Sequence, residues 1–508
     1  MALKTKIFTG VLKGIEAKLV EAEVNIAAGL PGITIVGLPD KSVDESKERV
    51  KSALVNSGFG FPQDKIVINL APADIKKEGS HYDLPIAMGI LAANADGNLE
   101  ISEDCFFAAE LSLDGSLRPV NGVLALTMMA REKNLTHIFV AAENAWEASL
   151  IKELAVYPVK NLKQLINHLR NVKKIPIFQG EPKINQNIEE EIDFGLVAGQ
   201  EVAKRGLEIA AAGCHNVLMF GPPGGGKTML ARAFNSILPN LSTEQALEVT
   251  QIYSVAGLAK ENGLMVRPPF RSPHHTASEA AIIGGGADAK VGDVTLAHRG
   301  VLFMDELPEF NRRVLESLRQ PLEDRVVIVS RAKATYKYPA SFVLLGAKNP
   351  CPCGNLGNPH KACKCSTADI LRYQKKISGP LLDRFDIFLN LPPVETKKLL
   401  SKIESEPSAI IKKRVIRARK IQLNRFKKTK NYFNSEMGAK DIKKYCELNL
   451  QAQKFLKRAI QKLGLSARGF HRVIKVARTI ADLAGSNKIE LSHLAESLQY
   501  RKSEDELY

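Results

Sequence analysis

The sequence predicts a multidomain α/β protein, and three observations carry that reading. Val217 to Phe234, VLMFGPPGGGKTMLARAF, runs from an apolar stretch through a glycine-rich loop into an amphipathic pattern, which reads as strand, loop and helix. Val301 to Met304 and Val343 to Asn349 are two more apolar runs that close on polar residues, as strands buried in one α/β unit do. Over residues 1 to about 170, short strand-like runs alternate with helical spacing, and 508 residues exceed one hydrophobic core, so about three domains are expected.

Residues 1–172 read as an α+β domain with its own core. Glu16 to Ala27 alternates, Ile33 to Val36 is apolar, Asp44 to Asn56 has helical spacing, and Ile66 to Leu70 and Ile138 to Val140 are strand-like. Within it, Phe107 to Ala130, FAAELSLDGSLRPVNGVLALTMMA, with the following THIFVAAEN, resembles the proteolytic domain of Lon proteases and its ribosomal-protein-S5-like fold. That family cleaves peptides with a Ser-Lys dyad. In SHYDLPIAM, Asp83 stands where the resemblance puts the serine, and Leu124 stands where it puts the lysine. An apolar Leu supplies no base to a nucleophile, so no proteolysis is expected. Ser80 and Lys76 lie nearby, but their spacing does not pair them.

Residues 173–192 mix Pro, Gly and charge without periodicity and read as a linker. The nucleotide core is expected over 193–394. Its loop fits GxxxxGK[ST]: Gly221, then Pro222, Pro223, Gly224 and Gly225, then Gly226, Lys227 and Thr228. Glycines let successive backbone N–H groups turn toward phosphates, Lys227 reaches the β- and γ-phosphates, and the Thr228 hydroxyl faces Mg²⁺. A plain turn between strand and helix would not require Lys-Thr here, so ATP with Mg²⁺ is the expected ligand. GVLFMDELPEF ends its strand in Asp305, 78 residues after Lys227 and suited to hold Mg²⁺ through water, and Glu306, suited to deprotonate the attacking water. Asn349 suits a hydrogen bond to that water or to the γ-phosphate. Arg384, in SGPLLDRFDIFLNL, lies before a strand, where it reads either as a residue entering a neighbouring subunit's site or as a solvated surface arginine.

Two insertions follow from glycine and turn placement. Thr276 to His298 is a glycine-broken hairpin, and Val326 to Phe342 is a second hairpin with Arg331, Lys333 and Lys337. Basic tips of this kind grip phosphates without sequence preference or are simply solvated. Cys351, Cys353, Cys363 and Cys365 form C-x-C, nine residues, C-x-C, which suits tetrahedral Zn²⁺, with His360 a spare ligand. Adjacent His274 and His275 face opposite ways if they lie in a strand and make a poor metal pair.

From residue 395 to 508 the pattern turns helical, with Ile410 to Lys428, Lys454 to Leu463 and Gly469 to Ala484 as helices of a lid domain. This segment carries 27 Lys and Arg against 12 Asp and Glu, or +15 of the chain's +16. A polyanion such as DNA is the partner that such loading suggests, solubility alone being the other reading. With 45% hydrophobic and 25% charged residues the chain is an ordinary globular protein. It has no run of about 18 apolar residues and no signal-like N-terminus, so a cytoplasmic place without membrane insertion is expected. Seven cysteines in a reducing compartment then point to thiols or metal rather than disulfides.

The stretches GPPGGGKTMLARA, RPPFRSPHHTASEAAIIGGG, GVLFMDELPEF, NPCPCG, SGPLLDRFDI and SARGFHRVIKVARTIADL together resemble the magnesium-chelatase-like AAA+ proteins of the YifB/ComM family. The resemblance implies a homohexameric, DNA-dependent ATPase of natural transformation, working as a branch-migration helicase in DNA recombination. It also implies a sensor arginine at Arg468 or, one turn on, at Arg472. Lys348 departs from the apolar residue the family pattern expects before Asn349. A magnesium-chelatase subunit and a protein-remodelling ATPase share the core and are the alternatives.

Overall fold

In Glu16–Ala27, Val20, Ala22 and Val24 are buried while Glu21 and Glu23 reach solvent, the period of two that makes a half-buried strand. The computed structural model describes residues 5–94, 99–180, 192–259, 263–286, 290–330, 335–359, 361–393, 406–429, 431–463 and 465–501. Glu16–Ala27 pairs antiparallel with Thr5–Lys13 and Lys65–Ala71 in a seven-stranded sheet. The sheet order is Gly32–Val36, Lys65–Ala71, Glu16–Ala27, Thr5–Lys13, Cys105–Ala108, His137–Ala141 and Ala155–Val159. Alternation along its strands feeds two cores. Phe107 and Phe139 pack with the helices Lys41–Asn56 and Asp83–Ala93, whereas Phe106, Ile138 and Val140 pack with Val123–Glu132.

The chain divides into two compact units, one of residues 1–187 with 242–266 and one of 188–241 with 267–508. The helix Thr243–Val255 thus lies outside the unit of the phosphate loop that precedes it, although the nucleotide core was expected to run unbroken from 193. It starts from a Ser242/Gln245 capping box, and the buried Glu147 accepts both the Leu124 N–H and the Ser254 hydroxyl.

In the second unit the parallel sheet runs Phe270–Arg271, Val301–Met304, Val343–Lys348, Val217–Phe220 and Ile387–Asn390. Its central strands are short and buried on both faces, as helices covering both sides of a parallel sheet demand. The strand Val343–Lys348, which Asn349 follows, separates the phosphate-loop strand from Val301–Met304, which Asp305 follows. All three carboxyl ends therefore open on one crevice. The second expected insertion is a hairpin, Val326–Ser330 with Thr335–Pro339, whereas in Thr276 to His298 the strand pairing shrinks to Gly284–Gly285 with Lys290–Val291 between the short helices Glu279–Ile282 and Asp293–Leu296.

Helices Ser408–Phe426 and Ala467–Leu483 send Ile411, Val415, Val476 and Ile480 into the same core as Leu230 and Phe234. Much of their positive charge is used inside the fold. Arg414 pairs with Glu208 and Glu406 at 2.5 Å each, and Arg425 pairs with Asp482 at 2.5 Å. Arg419 donates to the Ala211 carbonyl, and Arg478 is buried against Asp482. The excess counted along the sequence is thus only partly available to a polyanion.

Candidate nucleotide site and four-cysteine cluster

The helix Lys227–Ser236 starts where Gly226 takes a φ of 84°, and Gly224 takes 80°, left-handed values that L side chains rarely adopt. A Cβ at Gly221 would come within 2.1 Å of the Leu391 carbonyl oxygen, so the loop closes only on glycine there. The Lys227 ammonium donates to the carbonyls of Gly221 at 2.7 Å and Pro222 at 3.0 Å and to Asn349 Oδ1 at 3.1 Å. Burial pulls its pKa below the usual lysine value, a shift that Asp305 and Glu306 only partly offset. Thr228 Oγ1 donates to Asp305 Oδ2 at 2.7 Å. One ammonium, one hydroxyl beside a carboxylate and a glycine cradle at a helix N-terminus together fit a magnesium–nucleotide pair.

Glu306 is exposed and sits at a φ of 50°, a strained value for a residue with a side chain. Its backbone N–H donates to Asp305 Oδ1 at 2.9 Å, and its carboxylate lies 3.6 Å from His275 Nδ1. His275 was missed by reasoning that put it in a strand. It lies in a turn beyond Phe270–Arg271, so the His274 and His275 rings sit together, centroids 4.2 Å apart and tilted by 32°, instead of facing opposite ways. The signal that could have found it is position, since that short strand pairs with the one carrying the carboxylates.

Arg384 is 5% exposed and does not project. It donates to the carbonyls of Arg319 and Pro380 and pairs with Glu323 at 2.7 Å. The exposed Arg468 lies 3.8 Å from that same Glu323 oxygen. Arg472 is committed elsewhere, 2.6 Å from the buried Asp386, which is also 3.4 Å from His215. Burial pushes the Asp386 carboxyl up, but Arg472 and His215 outweigh it and hold it well below the usual carboxylate range. Of the two arginines, Arg468 is the one free to turn toward a nucleotide.

In the first unit, Asp83 is fully buried, 2.7 Å from Arg49, and accepts the Leu111 N–H at 3.2 Å. Leu124 is buried too, Ser80 donates to Glu110, and Lys76 pairs with Glu78 at 2.6 Å. Lys337 is exposed on the second hairpin, whereas Arg331 and Lys333 lie outside the described residues.

Sulfur atoms of Cys351, Cys353, Cys363 and Cys365 all lie within 4.8 Å of one another, and the three pairs among the first three are 3.5–3.6 Å apart. Tetrahedral zinc with bonds of about 2.3 Å puts its sulfurs about 3.8 Å apart, so the set fits. Backbone N–H groups of Asn355 and Lys364 bring the Cys353 thiol down to about 6, and the Leu356 N–H points at Cys351 Sγ. His360 is outside the described residues.

Three sequence profiles match: "Magnesium chelatase, subunit ChlI" over 193–399, "Subunit ChlI of Mg-chelatase" over 22–144 and "Magnesium chelatase, subunit ChlI C-terminal" over 405–501. Competence protein ComM of Haemophilus influenzae is 42% identical, with 97% of each chain covered. The YifB protein of Escherichia coli is 42% identical over 97% of this chain and 96% of its own. The magnesium-chelatase 67 kDa subunit of Chlorobaculum tepidum is 28% identical over 31% of this chain and 23% of its own. The chain belongs to the ComM/YifB family of magnesium-chelatase-like proteins.

Proposed function

We propose that this protein is a Mg²⁺-dependent ATPase that acts as a homohexameric DNA motor, a branch-migration helicase serving recombination during natural transformation. The observation that carries the ATPase reading is the convergence of Lys227, Thr228, Asp305 and Asn349 in one crevice with Glu306 at its mouth. ATP with Mg²⁺, when bound, supplies the phosphoryl group and neutralises its charge. Lys227 and the loop amides hold the phosphates, and Thr228 and Asp305 hold the cation. Glu306 orients the attacking water and takes its proton, and Asn349 hydrogen-bonds that water or the γ-phosphate. Arg384 serves a neighbouring subunit by exchanging Glu323 for phosphate, and Arg468 leaves the same carboxylate to close over the nucleotide. The four cysteines hold structural zinc, and the N-terminal Lon-like domain does not proteolyse.

DNA is favoured as the partner by the competence name of a relative matched end to end and by Lys337 on its exposed hairpin, with Arg331 and Lys333 as further phosphate contacts. A cytoplasmic place follows from that partner. The magnesium-chelatase reading shares the family models, but the chelatase subunit of Chlorobaculum tepidum is 28% identical over 31% of this chain against 42% over 97% for ComM, which favours the ComM reading. The test is ATPase activity titrated with single-stranded, duplex and branched DNA at two salt concentrations. Stimulation that weakens as salt rises is expected, because phosphate contacts release counterions. Turnover indifferent to every DNA would remove the motor.

A further inference from the structure

Asn349 and the four-thiol cluster share one loop. Cys351 follows Asn349 by two residues and is buried, while the Asn349 side chain accepts from Lys227 and its backbone hydrogen-bonds the buried Tyr373 hydroxyl. The cluster loop also lies flush on the phosphate loop. Gly354, at a φ of 76°, has no room for a side chain, since a Cβ would stand 2.7 Å from both Cδ and Cγ of Pro223. The loop from Asn349 to the helix Thr367–Gln374 contains no regular element among its described residues, only turn hydrogen bonds such as Gly354 N–H to the Cys351 carbonyl, so a metal bound by its four thiols would add the crosslink that fixes its shape.

We propose that the four thiols bind one zinc ion and that this ion positions Asn349 and the Pro223 side of the phosphate loop for turnover. The inference deepens the ATPase reading and rests on it for the word turnover only. Zinc joins Cys351 and Cys353 on one side of the loop to Cys363 and Cys365 on the other. Removing it frees the segment that presses on Pro223 and carries the partner of Lys227. Soft thiolates select zinc over the hard Mg²⁺ next door, so the two cation sites do not compete.

The experiment measures zinc and iron per chain in full-length protein, then amide hydrogen exchange before and after stripping the metal and after adding zinc back. About one zinc per chain is expected. Stripping should speed exchange across 221–228 and 349–356 by about tenfold or more, leave the strand Lys65–Ala71 unchanged, and reverse on zinc addition. The pair Cys353→Ser with Cys365→Ser should reproduce the stripped state, and the reversible stripping covers the case in which that variant does not fold. Zinc below about 0.2 per chain, or iron in its place, would overturn the metal assignment. Bound zinc whose removal leaves 221–228 unaltered would overturn the coupling. A protein with no ATPase activity that still shows zinc-dependent protection would sink the ATPase reading and leave this link standing.

Discussion

Lys227 and Asp83 each open a helix with a charged side chain taken largely out of water, yet they end in opposite situations. Asp83 is closed off: Arg49 and the Leu111 N–H satisfy it, and the helix Asp83–Ala93 behind it is buried up to Leu91. Lys227 leans on the carbonyls of its own loop and on Asn349, while Thr228 and Glu306 beside it are exposed. A polar cluster satisfied wholly by its own domain is structure, and one that keeps donors and carboxylates at an open crevice is a site. Burial of a charge alone does not separate the two.

The largest effect on nucleotide binding that would sharpen this contrast is at Lys227. Lys227→Ala should weaken ATP binding by about 100-fold or more, roughly 2.7 kcal/mol, and lower the melting temperature less than Asp83→Ala does, because it leaves neutral acceptors rather than a buried charge without a partner. Isothermal titration with a thermal melt checks both halves, and a large loss of stability with binding intact would reverse the assignment.

Asp83→Ala should do the opposite, lowering stability and leaving nucleotide affinity alone. Stranding one partner of a buried pair costs about 3–5 kcal/mol, and the 22% exposure of the Arg49 side chain argues for the lower end. Denaturant unfolding of the full chain reads the first, and a change in nucleotide affinity would break the separation.

The same contrast shows what a sequence discloses. The phosphate loop, Asp305, Glu306 and Asn349 were legible because each is a fixed residue at the end of an apolar run, and phosphate chemistry admits few substitutes. The strands and long helices were legible from their periods. The burial of Arg384 was not, because Glu323 lies 61 residues away and only tertiary structure joins them. Nor was the use of Arg414, Arg419 and Arg425 to bind helices together, since a charge count cannot tell a paired arginine from a free one. His275 escaped because alternation was applied to residues that lie in a turn.

A further effect concerns pH and the first unit. Burial pulls the His81 pKa down to about 4 from the usual value near 6.5, while its Nε2 donates to the Gly10 carbonyl at 2.8 Å. The folded state then favours the neutral ring, so the unfolded chain binds more protons between these values. Stability is fully present above about 6.5 and falls toward pH 4, by on the order of 3 kcal/mol. His81→Gln should flatten that part of the profile, and an unchanged slope in the variant would assign the dependence to other groups.

The most direct measurement compares ATP binding and single-turnover hydrolysis in the native protein and in Glu306→Gln. Gln keeps the size of Glu306 but cannot take a proton, so affinity should stay within about threefold while hydrolysis falls about 100-fold or more. Equal hydrolysis by the two proteins would contradict the site as drawn.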